Sequence, residues 1–200
     1  MKTCLPSSAW RCRSTARSWI RRFHTAVAIS AFAAILLPMT AGAHPQTRSG
    51  FFMGLGLARG SMAQTSGEYS TDRVGGTGGT FRLGYAINPM FALGLENNSF
   101  FTSNSSVIEG LGTSTVAASF FPALGLVLRG GIGAGYGGAA SDGLSGDFGF
   151  GWTVGTAYEF RVARSFAIGP QIDYAHMRFQ FNDNNYVNFG LSMNWYFIAE

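Results

Sequence analysis

The feature that most limits what this chain can fold into is a repeated change of side-chain size at every second residue. It begins after Ala43 and recurs in segments of about ten residues. In Gly50 to Met62 one phase reads Phe51, Met53, Leu55, Leu57, and the other Phe52, Gly54, Gly56, Ala58, Gly60. Gly79 to Ile87 repeats the pattern, with Phe81, Leu83, Tyr85 and Ile87 against Thr80, Arg82, Gly84 and Ala86. Phe148 to Phe160 sets Phe148, Phe150, Trp152 and Val154 against Gly149, Gly151, Thr153 and Gly155. A period of two belongs to strands, not helices. About ten residues is what a tilted strand needs to cross a bilayer.

Eight such segments are expected: 50–62, 79–87, 90–101, 111–121, 125–137, 148–160, 165–177 and 185–197. The connections after the second, fourth and sixth are short: Asn88-Pro89, Pro122 to Leu124, and Arg161 to Arg164. Those after the first, third, fifth and seventh are longer and polar: Ala63 to Gly78, Thr102 to Gly110, Gly138 to Asp147, and Arg178 to Asn184. Short turns alternating with long loops fit a transmembrane barrel of antiparallel strands. An even strand number sets both ends of the mature chain on the periplasmic side.

Alternation alone does not say which row faces inward. A soluble carrier barrel also alternates, with bulky apolar groups in its lumen and charges outside. Here the second row is mainly Gly, Ala, Ser and Thr. These make a poor water-facing surface but suit a narrow lumen. Residues 44–200 contain 8 Arg, no Lys and 10 Asp or Glu. That charge content is thin for a soluble surface, which usually carries about 25–35% charged residues. The expected fold is therefore all-β: a closed, up-and-down antiparallel transmembrane β-barrel of about eight strands, with its large apolar row in lipid and no free edge.

Residues 1–43 read as a cleaved signal peptide and 44–200 as the barrel domain. Six basic residues precede an apolar stretch from Ala26 to Met39, and Ala41-Gly42-Ala43 presents small residues at a cleavage site, Ala41 and Ala43 being the recognised pair. The stretch is too short for a membrane-spanning helix. Cys4 and Cys12 both lie in the leader, so the mature part holds no disulfide. Its net charge is −2, which makes nucleic acid a poor partner.

The segment Gly50-Phe51-Phe52-Met53-Gly54-Leu55-Gly56-Leu57, the Gly84-Tyr85-Ala86-Ile87-Asn88-Pro89 hairpin and the ending Gly190-Leu191-Ser192-Met193-Asn194-Trp195-Tyr196-Phe197 resemble the small outer-membrane β-barrel superfamily, which includes the outer membrane protein A, W and X types. The resemblance covers nearly all of residues 44–200. It implies a bacterial outer-membrane location, contact with membrane lipid and lipopolysaccharide, and insertion by the barrel assembly machinery. The last strand is similar to the signal that machinery reads, through Gly190, Met193, Trp195 and Phe197. Members usually end at that aromatic, whereas this chain continues through Ile198-Ala199-Glu200.

The charges in the small-residue phase are Arg82, Glu96, Arg129, Glu159 and Asp173. A charge buried in a lumen is costly unless paired. If the Asn88-Pro89 turn sets Ile87 against Phe91, Arg82 falls opposite Glu96. The structural reading is a polar plug, and the functional one is a constriction in a narrow pore. Arg59 lies in the lipid phase near the outer end of the first strand. It either snorkels to the headgroups or meets a lipopolysaccharide phosphate. Gly133-Ala134-Gly135-Tyr136-Gly137-Gly138 matches a dinucleotide-binding string, but no βαβ unit surrounds it. His176 has no serine beside it, so nucleophilic catalysis has no support. No catalytic residue, cofactor or metal site is expected. The functional expectation is a structural or surface-interaction barrel with a plugged lumen. The alternatives are a narrow passage for small, even apolar, molecules, and a lipid A-modifying enzyme.

Overall fold

The computed structural model describes residues 48–66, 69–104, 107–122, 125–139 and 145–197. The expected signal peptide, residues 1–43 with Ala41 and Ala43, lies outside them. Eight long strands form the body: β1 (Gly50–Ser66), β2 (Val74–Asn88), β3 (Phe91–Asn104), β4 (Val107–Phe120), β5 (Leu126–Ala139), β6 (Ser145–Tyr158), β7 (Phe166–Arg178) and β8 (Asp183–Phe197). Two short pieces accompany them. Tyr69–Ser70 pairs with the end of β1, and Phe160–Ala163 continues β6 along β7. Every strand is antiparallel to its neighbours, and β1 pairs with β8. The sheet is thus closed, and its backbone groups are satisfied without an edge.

The registers fix the size of the barrel. Stepping across directly paired residues from Leu55 leads to Phe81, Asn97, Ser114, Ala134, Phe150, Arg178, Asp183 and back to β1 at Thr65. One circuit therefore climbs from residue 55 to residue 65 of the same strand. With ordinary strand spacings this stagger implies a tilt of about 40° and a backbone radius of about 8 Å. An interior that narrow is just filled by side chains.

The large apolar row faces outward. Leu57, Leu95, Val116 and Ile132 are 69%, 63%, 62% and 65% exposed. On β6 the outward residues run from Tyr158 to Phe148. At roughly 2.5 Å of axial rise per tilted residue, that is about 25 Å, the height of a barrel's lipid-facing band. Aromatic rings pair at the turn end of this wall, three times across strands and once along β6 and its continuation. Phe51 meets Phe197, Phe91 stacks on Phe120 at 4.9 Å, Tyr158 meets Phe160, and Phe166 meets Trp195 at 4.9 Å.

The connections differ from the sequence expectation. The long ones are mostly strand: β1 runs on to Ser66, β2 starts at Val74, β3 and β4 extend to Asn104 and from Val107, and β7 and β8 reach Arg178 and start at Asp183. Ladder hydrogen bonds do not depend on side chains. The strands therefore continue as polar hairpins where the apolar period has stopped. At the second turn, Ile87 does not simply oppose Phe91. A bulge shifts the register so that Asn88 pairs with Phe91. Asn88 Oδ1 accepts hydrogen bonds from the backbone N–H of Met90 and of Phe91, both at 2.8 Å, the local competition expected of an Asn at a turn. The third short turn is tighter than Arg161 to Arg164, because pairing continues through Ala163.

Candidate functional site in the barrel lumen

Buried side chains enter the described lumen in three layers. Nearest the short turns is an apolar layer of Phe52, Ala86, Ala92, Phe121, Val127, Ala157, Ala167 and Tyr196. Nearest the long hairpins is a second, of Phe100, Ala175, Met177, Phe179 and Tyr186, with Met62 and Leu111 packed on it. Phe100 and Tyr186 stack there at 5.7 Å, and the Tyr186 hydroxyl donates to the Asn98 carbonyl at 2.9 Å. Between them lies a polar belt. β3 shows the order along one strand: Ala92, Glu96, Phe100.

The belt holds four of the five charges singled out in the sequence. Arg82 and Glu96 are directly paired across β2 and β3, with Arg82 Nε 4.0 Å from Glu96 Oε2. Arg129 enters from β5, its Nε 3.5 Å from the same carboxylate oxygen and its Nη2 donating to Asp173 Oδ1 at 2.5 Å. Glu96 Oε1 also accepts from Asn98 Nδ2 at 2.6 Å. Arg82 Nη2 donates to Gln171 Oε1, whose amide donates in turn to Thr80 Oγ1 at 3.1 Å. Two guanidinium groups thus neutralise two carboxylates. All four residues are buried, a condition tolerable only with such pairing.

Glu159, the fifth charge, belongs to a separate pair. Its partner is Arg48, which the sequence reading passed over. Arg48 precedes β1, folds into the turn-end layer and places Nη2 and Nε 3.0 and 3.3 Å from Glu159 Oε2. Its guanidinium also lies 4.1 Å over the Phe121 ring. Glu159 Oε1 accepts from Asn194 Nδ2 at 2.9 Å and from the Tyr196 hydroxyl at 2.8 Å. The one available signal was charge balance: Glu159 needed a cation near the turn end, and Arg48 stands two residues before β1.

The lumen is lopsided. β7 and β8 contribute Gln171, Asp173, Met177, Asn188 and Asn194, while β1, β2, β5 and β6 contribute glycines opposite them. A Cβ on Gly54 would overlap Asn194, one on Gly78 would overlap Asn188, and one on Gly155 would overlap Asp173. A Cβ on Gly135 would come within 2.7 Å of Met177 Cγ. The glycine row is therefore the set of holes that receives the long polar side chains. Gly125, at the head of β5, is a different case. Its φ is 80°, its carbonyl takes the Glu159 N–H at 2.7 Å, and the turn requires glycine.

The remaining candidates lie on the outer wall or the ends. Met193, Trp195 and Phe197 alternate along the outer face of β8, and Gly190 pairs with Ala58 so closely that a Cβ would overlap the Leu57 carbonyl. Arg59 is exposed on the outer face of β1. His176 is half-buried on the outer wall, 5.6 Å from the Trp152 ring. Among the described residues no three His, Cys, Asp or Glu side chains gather as metal ligands, and no helix is long and apolar enough to cross a membrane.

No protein-family model matches the chain, and no curated protein matches it by sequence. Solved structures do share its fold. The attachment invasion locus protein Ail of Yersinia pestis superposes with a TM-score of 0.54 at 14% identity, covering 74% of this chain and 99% of Ail. A second Ail structure, in complex with the heparin analogue sucrose octasulfate, gives 0.50 at 14% identity over 73% and 99% of the two chains. Neisserial surface protein A gives 0.54 at 13% identity, covering 74% of this chain and 98% of that one. The fold of this chain is that of the small eight-stranded outer-membrane β-barrels.

Proposed function

We propose that this protein is an integral outer-membrane barrel with a structural or surface-interaction role, its lumen plugged by its own side chains. The supporting observation is the combination of a broad apolar outer wall with a lumen occupied at three levels, apolar, charged, apolar. In this reading residues 1–43 are removed on export, both mature ends face the periplasm, and the barrel assembly machinery reads the last strand through Gly190, Met193, Trp195 and Phe197. The wall meets lipid and lipopolysaccharide, and the hairpins opposite the short turns meet the exterior. The reading needs no catalytic step. Ail was solved with a polyanion, but the long connections here hold Glu68, Asp72, Glu109, Asp142, Asp147 and Asp183 against Arg73 and Arg178. That acidic excess disfavours a polyanion at this chain's loop end.

One observation favours a second reading, a narrow passage for small molecules. Within the belt, Arg82 Nε, Arg129 Nη1 and Asp173 Oδ2 are buried without a hydrogen-bond partner, and such groups suit lumen water. Planar-bilayer recordings separate the two. A plugged barrel gives no unitary current either as wild type or as Arg82→Ala. Steady wild-type openings that Arg82→Ala alters in size would replace the plug with the passage. The membrane assignment has its own check: a mature chain that stays folded and monomeric in buffer without detergent would end it.

A further inference from the structure

The described outer wall carries two grooves, one over β2–β5 beside Asn97 and Ser114 and one that ends at a charged side chain. The latter, of about 370 Å³, lies between β1, β7 and β8. Leu57 faces Leu191 across the β1–β8 seam, and Leu191 faces Pro170 across β8–β7. Phe189 completes the wall, and the floor is the Ala58–Gly190 rung. At its loop-side end stands Arg59, exposed and opposite Phe189. Among the described residues Arg59 is the only charged side chain on the outer wall within the apolar band. The other arginines lie in the lumen (Arg82, Arg129), at the turn end (Arg48, Arg161, Arg164) or at the loop end (Arg73, Arg178). None of the described carboxylates forms an ion pair with Arg59.

From this juxtaposition we infer a lipid-binding site: the groove takes an acyl chain and Arg59 takes the phosphate of the same molecule. The occupant is the phosphorylated, multiply acylated glycolipid of the outer leaflet, lipid A. An apolar groove at hydrocarbon height selects a chain and rejects a soluble anion. A cation at the loop-side limit of that band meets headgroups of the leaflet on the loop side, which is the exterior in barrels of this kind. A guanidinium suits a phosphate because it donates two parallel, charge-assisted hydrogen bonds. The inference rests on the outer-membrane reading and on its orientation.

Folded mature protein in detergent micelles is titrated, with native mass spectrometry as the readout, against bisphosphorylated lipid A, the same lipid with its phosphates removed, and phosphatidylglycerol. The proteins are wild type, Arg59→Gln and the groove-filling Leu57→Trp, each checked for heat-modifiable migration as a sign of folding. Wild type should prefer the bisphosphorylated over the dephosphorylated form by about tenfold, the scale of one charge-assisted contact. Arg59→Gln should abolish that preference while still binding both forms weakly. Leu57→Trp should weaken both forms by a common factor and keep the preference. A phosphate preference that survives Arg59→Gln overturns the inference, as does phosphatidylglycerol binding as tightly as lipid A with the same dependence on Arg59. Either result leaves the barrel reading standing, whereas a chain that needs no detergent removes that reading itself.

Discussion

Arg48→Met tests whether the residues ahead of the first strand belong to the fold. Arg48 and Glu159 are each 3% exposed, and the guanidinium makes two hydrogen bonds to one carboxylate oxygen. Removing one member of a buried pair costs about 3–5 kcal/mol, mainly because the other charge is left uncompensated. Two donors to Glu159 survive the change, from Asn194 and Tyr196, which places the loss near the lower end, at about 3 kcal/mol. Loss of the contact over Phe121 adds about 1 kcal/mol. The double variant Arg48→Met/Glu159→Gln removes both charges of the pair, and the neutral amide oxygen still accepts from Tyr196, so it should return to within about 1 kcal/mol of wild type. Urea unfolding in phospholipid vesicles, followed by the fluorescence of Trp152 and Trp195, measures all three proteins. An Arg48→Met midpoint equal to wild type, with no coupling in the double variant, would refute the pairing as a stabilising element.

The other predictions concern the belt and the wall. Arg129→Met leaves Glu96 and Asp173 with only Arg82 between them and should cost about 3–5 kcal/mol in the same assay. Replacing Arg82 and Arg129 by Met, Glu96 by Gln and Asp173 by Asn together, at similar volume, should cost far less, and an equal loss would show that charge balance is not what the belt supplies. Gly155→Ala pushes a methyl into Asp173 and against Arg129 Nη2, 3.3 Å away. Overpacking of this kind costs about 1–3 kcal/mol, so an unfolding midpoint unchanged from wild type would contradict the knob-in-hole packing. Leu95→Arg puts a charge on the wall midway up the band and should destabilise the barrel in lipid by about 2–4 kcal/mol, whereas Ser103→Arg, at the loop end of the same outward row, should be close to neutral.

Much of this architecture is legible in the sequence, for a physical reason. Side chains alternate between outer wall and lumen with a fixed period, so the phase of Leu55, Leu95 or Trp152 is set by its neighbours. Arg82 stands opposite Glu96 in the register that the Asn88-Pro89 turn implies, because the bulge lies on the turn side of that pair and shifts only Asn88 and Phe91. Three things were not legible. The ends of the strands beyond the apolar band carry Gly, Thr and Asn on both faces, so nothing in their side chains marks where pairing stops. Arg48 precedes the first alternating segment, so no phase assigns it to the interior. Phe179, in a connection expected to be polar, turns into the upper apolar layer, because the hairpin brings it over the lumen and not into solvent.

The seam between β1 and β8 has a consequence for how such a molecule comes into being. It joins Phe51 to Phe197 and continues rung by rung to Thr65 and Asp183, so the first and the last of the eight strands meet in one ladder. No shorter stretch of the chain can close the cylinder. Until the last residues arrive, both rims of an incomplete sheet present unpaired amides and carbonyls, which other chains can capture. Contacts this distant in sequence also make formation slow. A barrel built this way is vulnerable while it waits for its own tail, and deleting β8 should yield aggregates in place of a smaller cylinder.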